Sequence, residues 1–336
     1  MIVYNVGLVG FGKGGEIYHA PFISSVPRFN LYKILERTKN RSKELYPCAE
    51  IVRAYDDLIN DEKVDVIVIT VPNEHHFEMA EKALRAGKHV VVDKPFTLTS
   101  QEADTLIKLS EQTGKVLTVY HNRRLDSGIR TIKKMVLQNM LGTPERFICR
   151  FDRYRPEPGN TWRDSGNPGS GLLYDLGSHL VDHVLYIFGE PESIASDIQV
   201  QRDGGLADDY FNIKFTYSSG LVAEVSAGML VGNKTSHLYY EGSKGSFLVK
   251  DLDNQEAALK KGLRPTDNEW EEETPYQNGI FENRVTGQIS HIELDKGDYR
   301  LFWENLASAI ATKSELLVKP QEAALVIKYL EKARQN

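Results

Sequence analysis

The sequence predicts an α/β protein of two domains, and three observations predict it. Over roughly the first 120 residues, apolar strand-like runs alternate with helical stretches, the pattern of a parallel sheet covered on both faces. Beyond about residue 145, short segments alternate apolar and polar side chains, as in an antiparallel sheet with one covered face. The 336 residues, 41% of them hydrophobic, exceed one average domain and supply apolar mass for two cores.

Taken in order, MIVYNVGLVG reads as a strand. It has neither a basic leader nor a small-residue cleavage site, so it is not read as a secretory signal. A helix follows from about Glu16, and LYKILE (31–36) is the second strand. VDVIVITVP (64–72) is a buried strand followed by a helix over 74–86 that ends at Gly87. KHVVVDKP (88–95) is another strand, and a helix over 100–113 starts at a Thr99 or Ser100 cap and stops at Gly114. KVLTVY (115–120) closes the series. The alternating segments are RFICRFDRY (146–154), YFNIKFTY (210–217), LVAEVSAG (221–228), SHLYYEG (236–242) and KGSFLVK (244–250). A helix over 171–188 lies between the first two and is expected to pack on the sheet. Two helices, 299–312 and 321–334, end the chain, the second with Pro320 near its start. Polar 253–297 is read as long loops with weak strands.

Charge narrows the function classes. With 41 Lys+Arg against 47 Asp+Glu the net charge is -6, which disfavours a nucleic-acid partner. VIVIT (66–70) and the other apolar runs are too short to cross a bilayer. Cys48 and Cys149 build no disulfide framework, so a cytoplasmic location is the expectation. Cys149 shares an alternating face with Phe147 and Phe151 and reads as a buried thiol.

The chemistry begins at Gly10-Phe11-Gly12-Lys13-Gly14-Gly15, which follows a strand and opens a helix. In that context the glycines permit a tight turn, close approach of a pyrophosphate, and close helix packing. At the end of the second strand, Glu36 suits the ribose hydroxyls of NAD, whereas Arg37 suits the 2′-phosphate of NADP. Asp93, Lys94 and Pro95 stand at the carboxyl end of a buried strand, the edge where ligands of such sheets bind. A lysine there can hydrogen-bond a substrate oxygen and favour its alkoxide.

Together with TVPNEHH (70–76), NRR (122–124) and YDLGSH (174–179), these motifs resemble the Gfo/Idh/MocA family of NAD(P)-dependent oxidoreductases over nearly the whole chain. YHNRRLDS (120–127), DRYRP (152–156), TWR (161–163) and LYDLGSHLVDH (173–183) are most similar to the NADP-dependent scyllo-inositol dehydrogenases within it. The resemblance implies a Rossmann domain over 1–122 and an α+β domain over 123–336 with a large, open, mostly antiparallel sheet for substrate binding and oligomerisation. The last helix is a candidate to pack back on the first domain. The implied partners are a polyol or sugar, with an inositol foremost, and further copies of the chain in a homodimer or homotetramer. The family's catalytic residues map onto Lys94, Asp175 and His179. Pro72, Asn73, His76, Asp93, Lys94 and Asn122 map onto cofactor-lining segments, and Arg123, Trp162 and Arg163 onto substrate-lining ones. Two departures stand out: Asp93 where the family often has Glu, and Glu36 where the NADP-dependent inositol enzymes carry a small polar residue. NAD and NADP both remain open.

Asp175 and His179 are spaced i, i+4 on an otherwise apolar helix. A histidine base can take a hydroxyl proton near neutral pH, with the aspartate orienting substrate or imidazole. His179 and His183, also i, i+4, could chelate zinc with Asp175 or Asp182. Without a second ligand cluster, no metal is expected; His183 reads as a partly buried polar residue, and Asp182 as its partner or as an acceptor for the backbone. Loops at 152–170 and 228–236 are expected to shape the pocket. Reduction of another sugar or a dihydrodiol, or a non-catalytic nucleotide sensor, are the alternatives.

Overall fold

The computed structural model describes residues 2–233 and 235–335. Lys234, in the 228–236 loop, lies outside the described residues. The chain forms two compact units. The first comprises Met1–Asn122, Asn254–Pro275 and Tyr299–Ala324, and the second Arg123–Asp253, Tyr276–Asp298 and Leu325–Asn336.

The first unit is a parallel sheet of β1 (Tyr4–Val9), β2 (Phe29–Leu35), β3 (Glu50–Val52), β4 (Val66–Ile69), β5 (His89–Val92) and β6 (Leu117–Val119), in the order β3-β2-β1-β4-β5-β6. Val66–Ile69 and Val90–Val92 are wholly buried, as strands covered on both faces must be. Strand order reverses between β1 and β4, and there the carboxyl ends of the strands open a crevice. The Ser100–Thr113 helix starts with a reciprocal Thr99–Glu102 capping box and stops at Gly114 with φ 64°. Two segments from beyond residue 122 join this unit through aromatic packing. Tyr299 and Trp270 lie against Phe22, while Phe302 and Trp303 of the Arg300–Thr312 helix lie against Tyr120.

The second unit carries an eight-stranded sheet of β7 (Pro144–Arg150), β8 (Ser193–Gln199), β9 (Tyr210–Thr216), β10 (Val222–Gly228), β11 (Leu238–Gly242), β12 (Gly245–Val249), β13 (Asn278–Asn283) and β14 (Ile289–Glu293). Its order is β14-β13-β12-β11-β7-β10-β9-β8, antiparallel throughout except for the parallel pair β7 and β10. Alternate residues such as Phe147, Cys149, Ile213, Phe215, Val225, Tyr240 and Phe247 are wholly buried. The 253–297 stretch is more ordered than its polarity suggests: it supplies helices Gln255–Lys260 and Trp270–Glu273 as well as β13 and β14. The Ser127–Leu137 helix, with Ile129, Ile132 and Met135 buried on one face, also belongs to this unit. Among the described residues no helix is long and apolar enough to cross a membrane.

Asp182 has a distant arginine as its partner. Its carboxylate receives Arg124 through Nε (2.9 Å) and Nη2 (2.6 Å), with both side chains almost wholly buried. The guanidinium also lies 4.6 Å from the centre of the Tyr186 ring. Beside it, His183 Nδ1 lies 3.8 Å from the buried Cys149 Sγ, while Cys48 is exposed. Replacing the carboxylate would leave a buried cation without its counter-charge. Asp182→Ala is therefore expected to cost the second unit about 3–5 kcal/mol in urea unfolding; a loss below about 1 kcal/mol, the scale of an exposed pair, would refute a central role for this ion pair.

Candidate functional site

In the first unit the glycine-rich turn follows β1. Gly10 has φ +95°, in the left-handed region that favours glycine. A Cβ on Gly15 would stand 2.2 Å from the Gly10 carbonyl oxygen, whereas one on Gly12 would meet nothing within 4 Å. The turn thus closes on itself at Gly15 and opens outward at Gly12, the space a pyrophosphate would need, so these residues fit a dinucleotide. Thr70 Oγ1 braces the turn by donating to the carbonyls of Val9 and Gly10, each at 3.0 Å. The helix that follows begins as a π-helical turn, Gly14–His19. Phe11 is buried, with its ring edge-on to Tyr46.

The π turn ends at His19, a residue the sequence reading passed over. Its imidazole is wholly buried, with Nε2 3.6 Å from Asp93 Oδ1 and its ring centre 4.3 Å from that of Tyr120. Burial opposes ionisation of Asp93, but His19, Lys94 and His76 outweigh it and hold the carboxyl below its usual range. Asp93 Oδ1 also accepts the Lys94 amide at 2.8 Å. His76 is buried between two carbonyls, with Nδ1 2.8 Å from Pro95 O and Nε2 3.0 Å from Val71 O. Burial pushes its pKa down, opposed by the charge of Asp93. The imidazole thereby ties the TVPNEHH loop to the segment carrying half-buried Lys94. Pro72 and Asn73 lie at the start of that loop's helical turn, Asn73 buried. Glu36 and Arg37 follow β2 directly: the carboxylate is turned inward onto the amides of Arg41 and Ser42, while Arg37 is exposed. Asn122 is the last residue of the unit's first segment and is buried.

In the second unit the 171–188 helix is not uniform. Leu173–Gly177 is a π-helical turn and Ser178–Phe188 is α-helical. Asp175 stands half-buried in the π turn, and His179 is 6% exposed in the first α turn. π turns are uncommon and occur often at functional sites. Asp208 supports this one: Oδ2 accepts the Leu173 amide at 2.6 Å, and Oδ1 accepts Arg334 Nη2 at 2.7 Å. Burial raises the Asp208 pKa despite these partners. Gly171 admits the carboxylate, since a Cβ there would lie 2.2 Å from Asp208 Oδ1.

Arg163 Nε lies 3.2 Å from Asp175 Oδ1, and the same guanidinium lies 4.5 Å from the centre of the Trp162 ring. Trp162, Arg163 and Asp175 therefore form one cluster. The Arg123 guanidinium pairs with Asp126 at 3.2 Å and covers Phe151 at 4.8 Å. The His237 ring stands nearly perpendicular to that of Phe151, 5.6 Å between centres, with Nδ1 2.8 Å from Arg150 O.

Two expectations follow from this geometry. Gly12→Val should leave the melting temperature unchanged yet abolish nucleotide binding by fluorescence titration, whereas Gly15→Ala should lower the melting temperature; the reverse pattern would refute the division of labour between the two glycines. Burial lowers the His237 pKa from 6.5 to about 4. The unfolded chain then takes up the proton first, so stability held above about pH 6.5 is lost as pH falls toward 4, by about 3 kcal/mol in all. His237→Asn should flatten that part of a pH series of denaturant melts, and an unchanged slope would assign the loss to other groups.

Comparison with known proteins accounts for both units. Residues 4–121 match the oxidoreductase family, NAD-binding Rossmann fold, and residues 133–336 match the C-terminal alpha/beta domain of the same family. The chain is 31% identical to the scyllo-inositol 2-dehydrogenase (NADP(+)) IolW of Bacillus subtilis, covering 98% of this chain and 93% of that one. It is 36% identical to the uncharacterized oxidoreductase YdgJ of Escherichia coli, covering 97% and 94% of the two chains. The structure of the putative oxidoreductase yvaA from Bacillus subtilis superimposes with a TM-score of 0.92 at 30% identity, over 99% of this chain and 95% of that one. With both halves matched in order along the chain, the protein belongs to the Gfo/Idh/MocA family of oxidoreductases.

Proposed function

We propose that the protein is an NAD(P)-dependent dehydrogenase/reductase that interconverts C–OH and C=O on a polyol or sugar, with an inositol of the scyllo type as foremost substrate. The observation that carries this reading is the Asp175–Arg163 pair beside Trp162, in a chain whose full length resembles an inositol dehydrogenase. Carboxylate and guanidinium together offer acceptors and donors for several hydroxyls, and the indole offers an apolar face for ring C–H groups.

The glycine turn, Glu36 or Arg37, Pro72, Asn73, Asp93 and Asn122 would hold the nicotinamide dinucleotide, which supplies the hydride chemistry when bound, with His76 bracing their loop from behind. The ammonium of Lys94 donates to the reacting oxygen and favours its alkoxide. The His179 imidazole accepts the hydroxyl proton in oxidation and returns it in reduction. Its Nδ1 is sealed from solvent, so the proton is assigned to Nε2. Asp175 orients a substrate hydroxyl, and Arg163 pairs with that carboxylate.

The test is absorbance in the reduced-nicotinamide band, with NAD or NADP and a panel of inositols, sugars and keto-polyols in both directions. Turnover on a polyol is expected, with kcat falling about 10²–10⁴-fold in Lys94→Ala and His179→Asn while nucleotide binding persists. Nucleotide binding without turnover on any panel member would overturn the enzymatic reading in favour of a sensor.

A further inference from the structure

We propose that Glu36, the acidic residue directly after β2, anchors a loop and does not serve as a ribose ligand, and that the rim it braces favours a dinucleotide bearing a 2′-phosphate over one with a free 2′-hydroxyl. The inference rests on the dinucleotide reading above and deepens it.

An acidic residue at this place selects for NAD because its oxygens face the ribose hydroxyls and its charge repels a phosphate. Glu36 is 6% exposed, and its carboxylate is engaged within the chain. Oε1 accepts the Ser42 amide at 2.9 Å and the Ser42 hydroxyl at 2.5 Å, while Oε2 accepts the Arg41 amide at 3.2 Å. Three of about four acceptor positions on a carboxylate are thereby filled. Releasing the group toward a ribose would break all three bonds and strand two main-chain donors.

A second, independent set of contacts fixes the same loop from its other side. Arg53 Nη1 donates to the carbonyls of Glu36 (2.5 Å) and Lys39 (2.7 Å), and Nη2 donates to Asn40 Oδ1 (2.5 Å). The segment between these two anchors is Arg37-Thr38-Lys39, and all three residues are exposed. Among the described residues, neither Arg37 nor Lys39 has a side-chain ion-pair partner. Arg41 is the third cation of the rim and pairs with Glu16 at 2.6 Å. The rim therefore offers two uncommitted cations and a hydroxyl on a loop held in place beforehand, with its one strand-end carboxylate turned inward. That donor set suits a phosphate monoester.

The experiment is titration of the full chain with NADPH and with NADH at low salt, read by nicotinamide fluorescence without any substrate. NADPH should bind about tenfold or more tightly than NADH, the scale of one or two charge-assisted hydrogen bonds. Arg37→Ala, an exposed change, should weaken NADPH by about tenfold and leave NADH within about twofold, since only the phosphate contact is removed. Ser42→Ala should loosen Glu36 and narrow the gap from both sides. Equal or tighter binding of NADH, or an unchanged ratio in Arg37→Ala, would overturn this inference while leaving the dinucleotide reading intact. Binding of neither nucleotide would overturn both.

Discussion

The first unit depends on one approach of backbone to backbone, at Gly15, where the chain returns so close to the Gly10 carbonyl that no side chain fits between them. That approach lets the helix start directly over the carboxyl end of β1, where strand order reverses. It requires a residue free to adopt positive φ at Gly10 and a brace beneath, which Thr70 provides from the end of β4. The consequences run outward from there. The π turn that follows carries His19 down to Asp93, Asp93 receives the Lys94 amide, and His76 ties Pro95 back to Val71. The glycine-rich turn after β1 and the lysine after β5 thus share one buried scaffold.

The second unit reaches a comparable result with different means. A π turn widens the helix and forfeits regular hydrogen bonding, so it needs support from outside its own backbone. Asp208 supplies that support from just before β9, Arg334 holds Asp208, and Gly171 leaves room for the carboxylate. Asp175 is presented from this turn with Arg163 against it, while the Arg124–Asp182 pair fixes the α-helical part that follows. Two ionisable residues on one apolar helix therefore divide their work: Asp182 holds the helix and Asp175 faces outward from it.

The parallel sheet was legible because its strands are continuous Val and Ile runs separated by capped helices. The glycine turn, Lys94, Asp175 and His179 stand out in the sequence because their motifs fall at strand ends or helical spacing. Less visible were β8 and β14, the two edge strands of the sheet, which have little to bury, and the polar β13 beside β14. The Ser127–Leu137 helix did carry a signal, in the i, i+3 spacing of Ile129, Ile132 and Met135. His19, Asp208 and Ser42 were beyond reach, since each acts on a residue distant in sequence or through a main-chain amide. The segments 254–275 and 299–324 join the first unit through individual aromatic contacts, which periodicity does not report.

The burial of Cys149 has a consequence for anyone handling the protein. A thiol must ionise to react, and burial pushes the pKa of Cys149 well above its ordinary value, while Cys48 stands exposed. A maleimide applied to the native chain would therefore mark a single position on the first unit. Alkylation of the other sulfur must wait until the large sheet opens. The two cysteines thus amount to a built-in handle and a built-in timer, one for attaching a probe and the other for recording how often the second unit's core comes apart.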